Sequence, residues 1–373
     1  MNNQEIKKQF LLEENVTYLN TSNMSPLLRS VQKAGLSTLE RRASPWTLTT
    51  KDWFGDSEML RDKVAGVFDC ASDDVSLIPS ASYGLAIAAK NLKIKKGKSI
   101  LILKDQFPSN YYVWHEIAKQ QRLQLITVNK IPGESLTESV LKQIGSSTGI
   151  VALPNCHWIT GDFIDLHIIS DAVKSIGAYL VLDLSQSFGV MPVAIRKIDP
   201  DFAVSVGYKW MLGPYGVGYL YVATRWQQEG QPLEYSWYSR QGSDDFSRLT
   251  LYTDKYQKGA RRFDMGESSL LHTAPMAIAA IDWIQKIGVN RIYAAIEEIT
   301  RPLIEYKKSH SLNHKYYGVH HIISIPIAGK EEKIKQRLVD NKVIVSFRGD
   351  SIRVSAHLFN TPEDIEKLLS CIS

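Results

Sequence analysis

A chain of 373 residues is long enough for two domains, and 44% apolar with 22% charged residues is the composition of an ordinary globular protein with a sizeable core. The formal net charge of +5 is small for this length, and the one dense basic run, Lys93, Lys95, Lys96 and Lys98, lacks interleaved aromatics, which argues against nucleic-acid binding. Cys70, Cys156 and Cys371 are odd in number and far apart, as in a reducing compartment. The first twenty residues have no apolar signal core and no run approaches the roughly 18 apolar residues of a membrane span, so a soluble, cytoplasmic protein is expected.

Residues 1–20 are mixed and lead into the polar cluster from Tyr18 to Pro26, which reads as a loop. Trp46, Trp53 and Phe54 lie where no period is clear, and packing is their simplest role. From Met59, Leu60, Val64, Val67 and Phe68 the spacing is helical, and 75–78 is a short strand. Ser80-Ala81-Ser82-Tyr83-Gly84-Leu85 then opens a helix to Leu92. Strands at 99–103, 123–128 and 150–153 alternate with helices at 109–121, 135–144 and 167–176. That alternation predicts βαβ units and a mostly parallel sheet.

The stretch 179–222 carries the chemistry. A buried strand, 179–182, ends in Asp183, with Gln186 in the loop beyond. A second strand, 202–206, leads to Gly207, Tyr208 and Lys209, and the turn Gly213-Pro214-Tyr215-Gly216-Val217-Gly218 feeds a third, 219–222. Ligands of open α/β sheets collect beyond the carboxyl ends of strands, so Asp183 and Lys209 should face one crevice. A lysine amine with a carboxylate in the same crevice suits pyridoxal phosphate. The amine forms a Schiff base, and the carboxylate keeps the ring nitrogen protonated so that the ring accepts electrons.

D-x-x-Q, S-x-x-Y-K-W and G-P-x-G-x-G together resemble the class V aminotransferase family of fold-type I pyridoxal-phosphate enzymes, a group that includes cysteine desulfurases, kynureninases and isopenicillin N epimerase-like proteins. The resemblance implies an α/β fold whose large domain has a mostly parallel seven-stranded sheet, with a small C-terminal α/β domain. Beyond Tyr221 the pattern does change. Residues 226–260 have no strong period; helices follow at 275–287 and 291–307, then 319–325, a helix at 331–339, and 343–347 with 352–355. The last helix opens on Thr361-Pro362-Glu363-Asp364, a hydroxyl cap with proline in the first turn and an acid at the third position. The expected division is an N-terminal segment, 1–20, packing with the small domain, a large cofactor domain, 21–255, and a small domain, 256–373.

The resemblance also distributes roles. The cofactor phosphate would sit at the helix N-terminus of Ala81 and Ser82, where backbone N–H groups, a hydroxyl and the helix dipole favour an anion. Many members have Ser or Thr three residues before the lysine; here it is Val206, so the phosphate should lean on Ser82 and Tyr208. Phe107 matches the residue stacked on the cofactor ring, and Gln186 the partner of the ring hydroxyl. Trp158 either shapes the substrate pocket or packs in the core. Adjacent Cys156 and His157 have no second pair at ligand spacing, so no metal is expected. Arg353 matches the arginine that binds the substrate carboxylate, a task suited to a planar guanidinium. Arg261-Arg262-Phe263-Asp264-Met265-Gly266-Glu267 resembles the segment that reaches the partner's phosphate in dimeric relatives, except that Glu267 replaces the usual threonine.

The expected activity is therefore that of a homodimeric aminotransferase acting on an amino acid or related amine through a Lys209 Schiff base. Epimerase and lyase chemistry of the same family remain alternatives. A nicotinamide enzyme does not fit, because the glycine turn leads into a strand. A non-catalytic binding protein would have no need of Lys209 beside Asp183, Gln186 and Arg353. Residues 343–353 hold no cysteine, which argues against desulfurase chemistry and leaves transamination favoured.

Overall fold

The computed structural model describes residues 3–310 and 315–373. A one-turn helix α1 (Asn3–Lys7) and the short strand β1 (Thr17–Tyr18) precede two long helices, α2 (Arg29–Arg42) and α3 (Thr50–Phe68). A capping box fixes the start of α3: Asp52 accepts from both the backbone N–H and the hydroxyl of Thr49, each at 2.7 Å. Alternation begins with β2 (Val75–Ile78), α4 (Ala81–Asn91), β3 (Ser99–Leu103) and α5 (Pro108–Gln121). It continues through β4 (Gln124–Val128), α6 (Leu136–Leu141), β5 (Thr148–Pro154), α7 (Leu166–Ser175) and β6 (Tyr179–Asp183). A short helix α8 (Ile195–Ile198) then leads to β7 (Phe202–Val206) and β8 (Gly218–Val222).

These seven strands form one sheet in the order β2-β8-β7-β6-β5-β3-β4. β3 to β7 pair in parallel, while β8 lies antiparallel to both β7 and β2. No crossover helix joins β7 to β8; the chain doubles back through a turn closed by the Gly207 N–H on the Val217 carbonyl at 2.8 Å. Lys209 sits in that turn. Every residue of β2, β3, β7 and β8 is buried, because apolar layers cover both faces of the sheet. Leu60, Val64 and Phe68 of α3 pack on one face against Leu77, Leu101 and Leu182. Leu85 and Ala88 of α4 and Trp114 of α5 pack on the other against Ile102, Val181 and Val204.

The C-terminal part comprises α9 (Ala274–Ile287), α10 (Val289–Ser309), β9 (Ile323–Pro326), α11 (Glu331–Asp340), β10 (Val343–Ile344), β11 (Ser346–Arg348), β12 (Ser351–Val354) and α12 (Pro362–Ile372). Its three-stranded antiparallel sheet has the order β11-β12-β9, and β10 pairs instead with β1 in parallel. The apolar run 343–347 is thus two strands in two sheets, not one. The division expected at 255 falls ahead of α9, yet Ala277, Ala280, Ile281 and Ile284 of that helix belong to the core of the large sheet, and helix α9 packs on α2 and α3. The small core begins partway along α10, at Ile299 and Leu303, with Ile323, Ile352 and Leu368. The N-terminal segment contributes to both: Ile6 and Phe10 to the large core, Leu19 to the small one.

One buried ion pair ties the layers together. Arg61 of α3, fully buried, donates to Asp264 at 2.7 Å, and the same carboxylate accepts from the Ser76 hydroxyl and the Leu77 N–H of β2, both at 2.9 Å. Asp264 of the R-F-D-M-G segment is thereby committed inside the fold. Its neighbour Arg261 pairs with Glu58 and Asp73, and Glu267 faces solvent.

Candidate active site

Asp183 ends β6 in register with Pro154 of β5 and Val204 of β7, and the turn after β7 carries Lys209 to the same rim. Both line a cavity of about 280 Å³. Lys209 is 6% exposed, and its ammonium lies 5.2 Å from the Phe107 ring centroid and 5.8 Å from that of Tyr208. Burial pushes its pKa down to about 8; Asp183 opposes the shift, while Arg353 and Arg348 reinforce it. Asp183 accepts the Ser185 N–H at 3.0 Å, and the Ser185 hydroxyl, buried and without a partner, borders the same cavity.

Two helix N-termini meet at the opposite wall. Ser80 caps α4 by accepting the Tyr83 N–H at 3.2 Å, which leaves the first-turn donors of Ala81 and Ser82 free of helical partners. The Ser82 hydroxyl donates to that of Ser109, in the first turn of α5, at 2.9 Å. Gly84 lets α4 lie close on the sheet: a Cβ there would lie 2.6 Å from Val204 Cγ1 and 2.8 Å from Ile78 Cδ1. Phe107 meets Trp158 edge to face at 5.3 Å and 87°, and the Trp158 indole donates to the Asp105 carbonyl at 2.7 Å. Tyr208 tilts against Tyr215, centroids 4.7 Å apart.

Gln186 is held from two sides. Its Oε1 accepts the Trp210 indole N–H at 2.9 Å and its Nε2 donates to the Ser22 carbonyl at 3.0 Å. The amide orientation is thereby set, and one N–H is left over. Ser22 belongs to the segment after β1 and is itself fixed by the Ser355 hydroxyl at 2.7 Å.

Arg353 is placed differently from the expectation. On β12, and 1% exposed, it donates to the Trp158 carbonyl at 2.9 Å and lies behind that residue, not on the cavity wall. Burial first, and Arg348 second, push its pKa down to about 10. Its guanidinium carbon lies 5.8 Å from the Trp158 ring centroid. Cys156 does border the cavity, but burial, helped by Asp183, pushes its thiol up to about 12. Sequence reasoning did not single out Ser109, Ser185, Ser22, Trp210 or Arg348. Ser185 and Trp210 stand inside D-x-x-Q and S-x-x-Y-K-W, and Ser109 opens the helix after Phe107; Ser22 and Arg348 act through tertiary contacts.

The donor set fits a planar anionic cofactor with an aldehyde: an amine to hold it, a carboxylate and an orphaned hydroxyl near the ring, an aromatic face, and convergent helix N-termini for a phosphate. An amine attacks an aldehyde only when neutral, and the neutral fraction of Lys209 rises as pH passes about 8. Mixing cofactor-free protein with pyridoxal phosphate at a series of pH values should give a capture rate that climbs with pH and is half-maximal near 8. A midpoint near the ordinary lysine value of about 10.4 would mean that the amine is solvated when it reacts.

Residues 50–368 match the profile of the family described as Aminotransferase class-V. The chain is 25% identical over 356 residues to an uncharacterized aminotransferase, YcbU, of Bacillus subtilis, covering 93% of this chain and 90% of the relative. It is also 25% identical over 335 residues to a probable cysteine desulfurase of Methanothermobacter thermautotrophicus, covering 83% and 80%. Among solved structures, apo cysteine desulfurase from Thermococcus onnurineus NA1 superposes with a TM-score of 0.83 at 20% identity, covering 98% of this chain and 96% of that one. A C-DES mutant with glycine covalently linked to its PLP cofactor gives 0.86 at 19% identity, covering 98% of each. These two likenesses establish the fold.

Proposed function

The chain belongs to the aminotransferase class-V family, and from that premise we propose that it is a pyridoxal-phosphate-dependent aminotransferase acting on an amino acid or related amine through Lys209. The observation that carries this reading is one buried amine beside Asp183, in a cavity flanked by Phe107 and Tyr208. Pyridoxal phosphate supplies a sink for electrons released at the substrate α-carbon. Lys209 would hold the cofactor through its amine and would be the base that carries the substrate α-proton. Asp183 keeps a proton on the ring nitrogen. Ser82, the N–H groups of Ala81 and Ser82, and Tyr208 bind the phosphate; Phe107 covers the ring and excludes water. The spare N–H of Gln186 donates to the ring oxygen, and Arg353, once Trp158 gives way, takes the substrate carboxylate.

Borohydride reduction of the loaded protein followed by peptide mapping should place the label on Lys209, and turnover should depend on a keto acid. A label on another lysine refutes the assignment; loss of a β-substituent without a keto acid replaces transamination by lyase chemistry. Cys156 is a poor persulfide carrier, since its thiol is protonated far above neutrality and Cys371 is buried in α12.

Asp183→Asn keeps the cofactor but loses the charge facing the ring nitrogen. Turnover should fall by on the order of 3 kcal/mol of barrier, since such preorganised charges act in a dry site. Wild-type kcat in that variant would remove Asp183 from the ring.

The working unit is a homodimer. Tyr235, Leu249, Leu251 and Tyr252 are 64%, 40%, 63% and 93% exposed around one surface depression, an apolar patch suited to a second copy. Light scattering should give twice the 42.1 kDa chain mass. No helix among the described residues is long and apolar enough to cross a membrane. Free Cys70, Cys156 and Cys371 suit the cytoplasm as its place of work.

A further inference from the structure

Buried Arg61 is matched by Asp264, and half-buried Arg261 by Glu58 and Asp73. Arg348 and Arg353 are not. They stand on the paired strands β11 and β12, where Ser346 faces Arg353 and Arg348 faces Ser351, so the two arginines are diagonal neighbours on one face of the hairpin. Their guanidinium carbons lie 5.4 and 5.8 Å from the centroid of the same Trp158 ring. The Nε of each is buried without an acceptor. Among the described residues no carboxylate supports either charge: burial lowers the pKa of Arg348, and burial with Arg348 lowers that of Arg353.

The Arg353 guanidinium, buried without an anion, is unfavourable there, and half-buried Arg348, which donates to the Phe347 carbonyl at 2.7 Å, adds repulsion. The Trp158 face offsets part of this, as an aromatic quadrupole does for a cation. Charge-assisted hydrogen bonds to carboxylates are stronger than that contact, so anions should displace the indole. One α-carboxylate answers one guanidinium and leaves the other unmatched.

We propose that Arg348 and Arg353, covered by Trp158, form a two-cation subsite that selects amino-acid substrates bearing a second carboxylate. This deepens the aminotransferase reading and rests on it for the α-carboxylate and the amine. Arg353 takes one carboxylate and Arg348 the other, and Trp158 moves off both. The substrates are acidic amino acids and their dicarboxylic keto acids, not apolar ones.

The test avoids turnover. Succinate and glutarate, which carry no amine, are titrated calorimetrically into the protein loaded with pyridoxal phosphate, against propionate and butyrate. The diacids should bind about tenfold or more tighter, and should change an emission component that is absent from Trp158→Phe. Arg348→Gln should bring the diacid advantage to within about twofold, while Arg348→Lys, which keeps the charge and guards against misfolding, should retain part of it. Equal affinity for diacids and monoacids in the wild type overturns the subsite, as does an Arg348→Gln effect equal on both classes. A normal visible cofactor band without diacid preference refutes the subsite alone. Failure of Lys209 to give that band refutes the cofactor reading, and the same titration of cofactor-free protein then decides the subsite by itself.

Discussion

Lys209→Ala should leave a folded protein that no longer captures pyridoxal phosphate covalently and whose turnover falls by about 10⁴-fold, the upper range for removing a positioned acid–base group. The turn does not depend on the side chain: Gly207 N–H to the Val217 carbonyl at 2.8 Å and Gly213 N–H to the Gly207 carbonyl at 2.9 Å hold it by backbone alone. No other lysine borders the cavity, so nothing replaces the amine. Binding should persist in weakened, non-covalent form through Ser82 and the α4 N-terminus. Reduction with borohydride followed by mass spectrometry should show no adduct, and a small added amine should restore part of the activity. A persisting adduct elsewhere would displace Lys209 from its role.

Asp264→Ala has the largest expected effect on stability, a loss of about 3–5 kcal/mol. The substitution leaves Arg61 charged and fully buried, and strips acceptors from the Ser76 hydroxyl and the Leu77 N–H. It loosens β2, the strand that delivers Pro79 and Ser80 to the phosphate end of the cavity, so cofactor affinity should drop as well. Arg61→Met combined with Asp264→Leu removes both charges and should recover much of the loss. Urea midpoints of the single and double variants measure both outcomes. A midpoint for Asp264→Ala within about 1 kcal/mol of wild type would mean that the pair is solvated and contributes like a surface bridge.

The sequence showed the sheet and the meeting of Asp183 with Lys209 because both depend on local pattern: apolar runs of strand length, each followed by a polar residue at its carboxyl end. Ser82 and Phe107 were legible at the site only through the family resemblance, and both do border the cavity, each after a strand of the same sheet. What sequence could not show are properties of layers and partners. The reversed direction of β8 depends on a turn too short for a crossover. The strand switch at Val345 depends on β1 claiming β10, some three hundred residues away in the chain. Arg353 lies against Trp158 through a hydrogen bond to that residue's carbonyl, a contact between positions 195 residues apart that R-x-S does not encode. Ser22 and Trp210 hold Gln186 from positions 164 and 24 residues distant.

The pairing of β1 with β10, and of Ser22 with Ser355, sets an order of events during synthesis. Residues 17–22 leave the ribosome more than three hundred residues ahead of their partners at 343–355. The earlier segment must therefore wait, unpaired, while the intervening chain is made. Until it docks, Ser22 is not in place and Gln186 has only Trp210 to orient it. A nascent chain stalled before residue 343 can carry a finished seven-stranded sheet with Asp183 and Lys209 at one rim and still leave Gln186 held from one side only. Docking of an early segment on a late one makes synthesis of residues 343–355 a condition for a fully oriented Gln186.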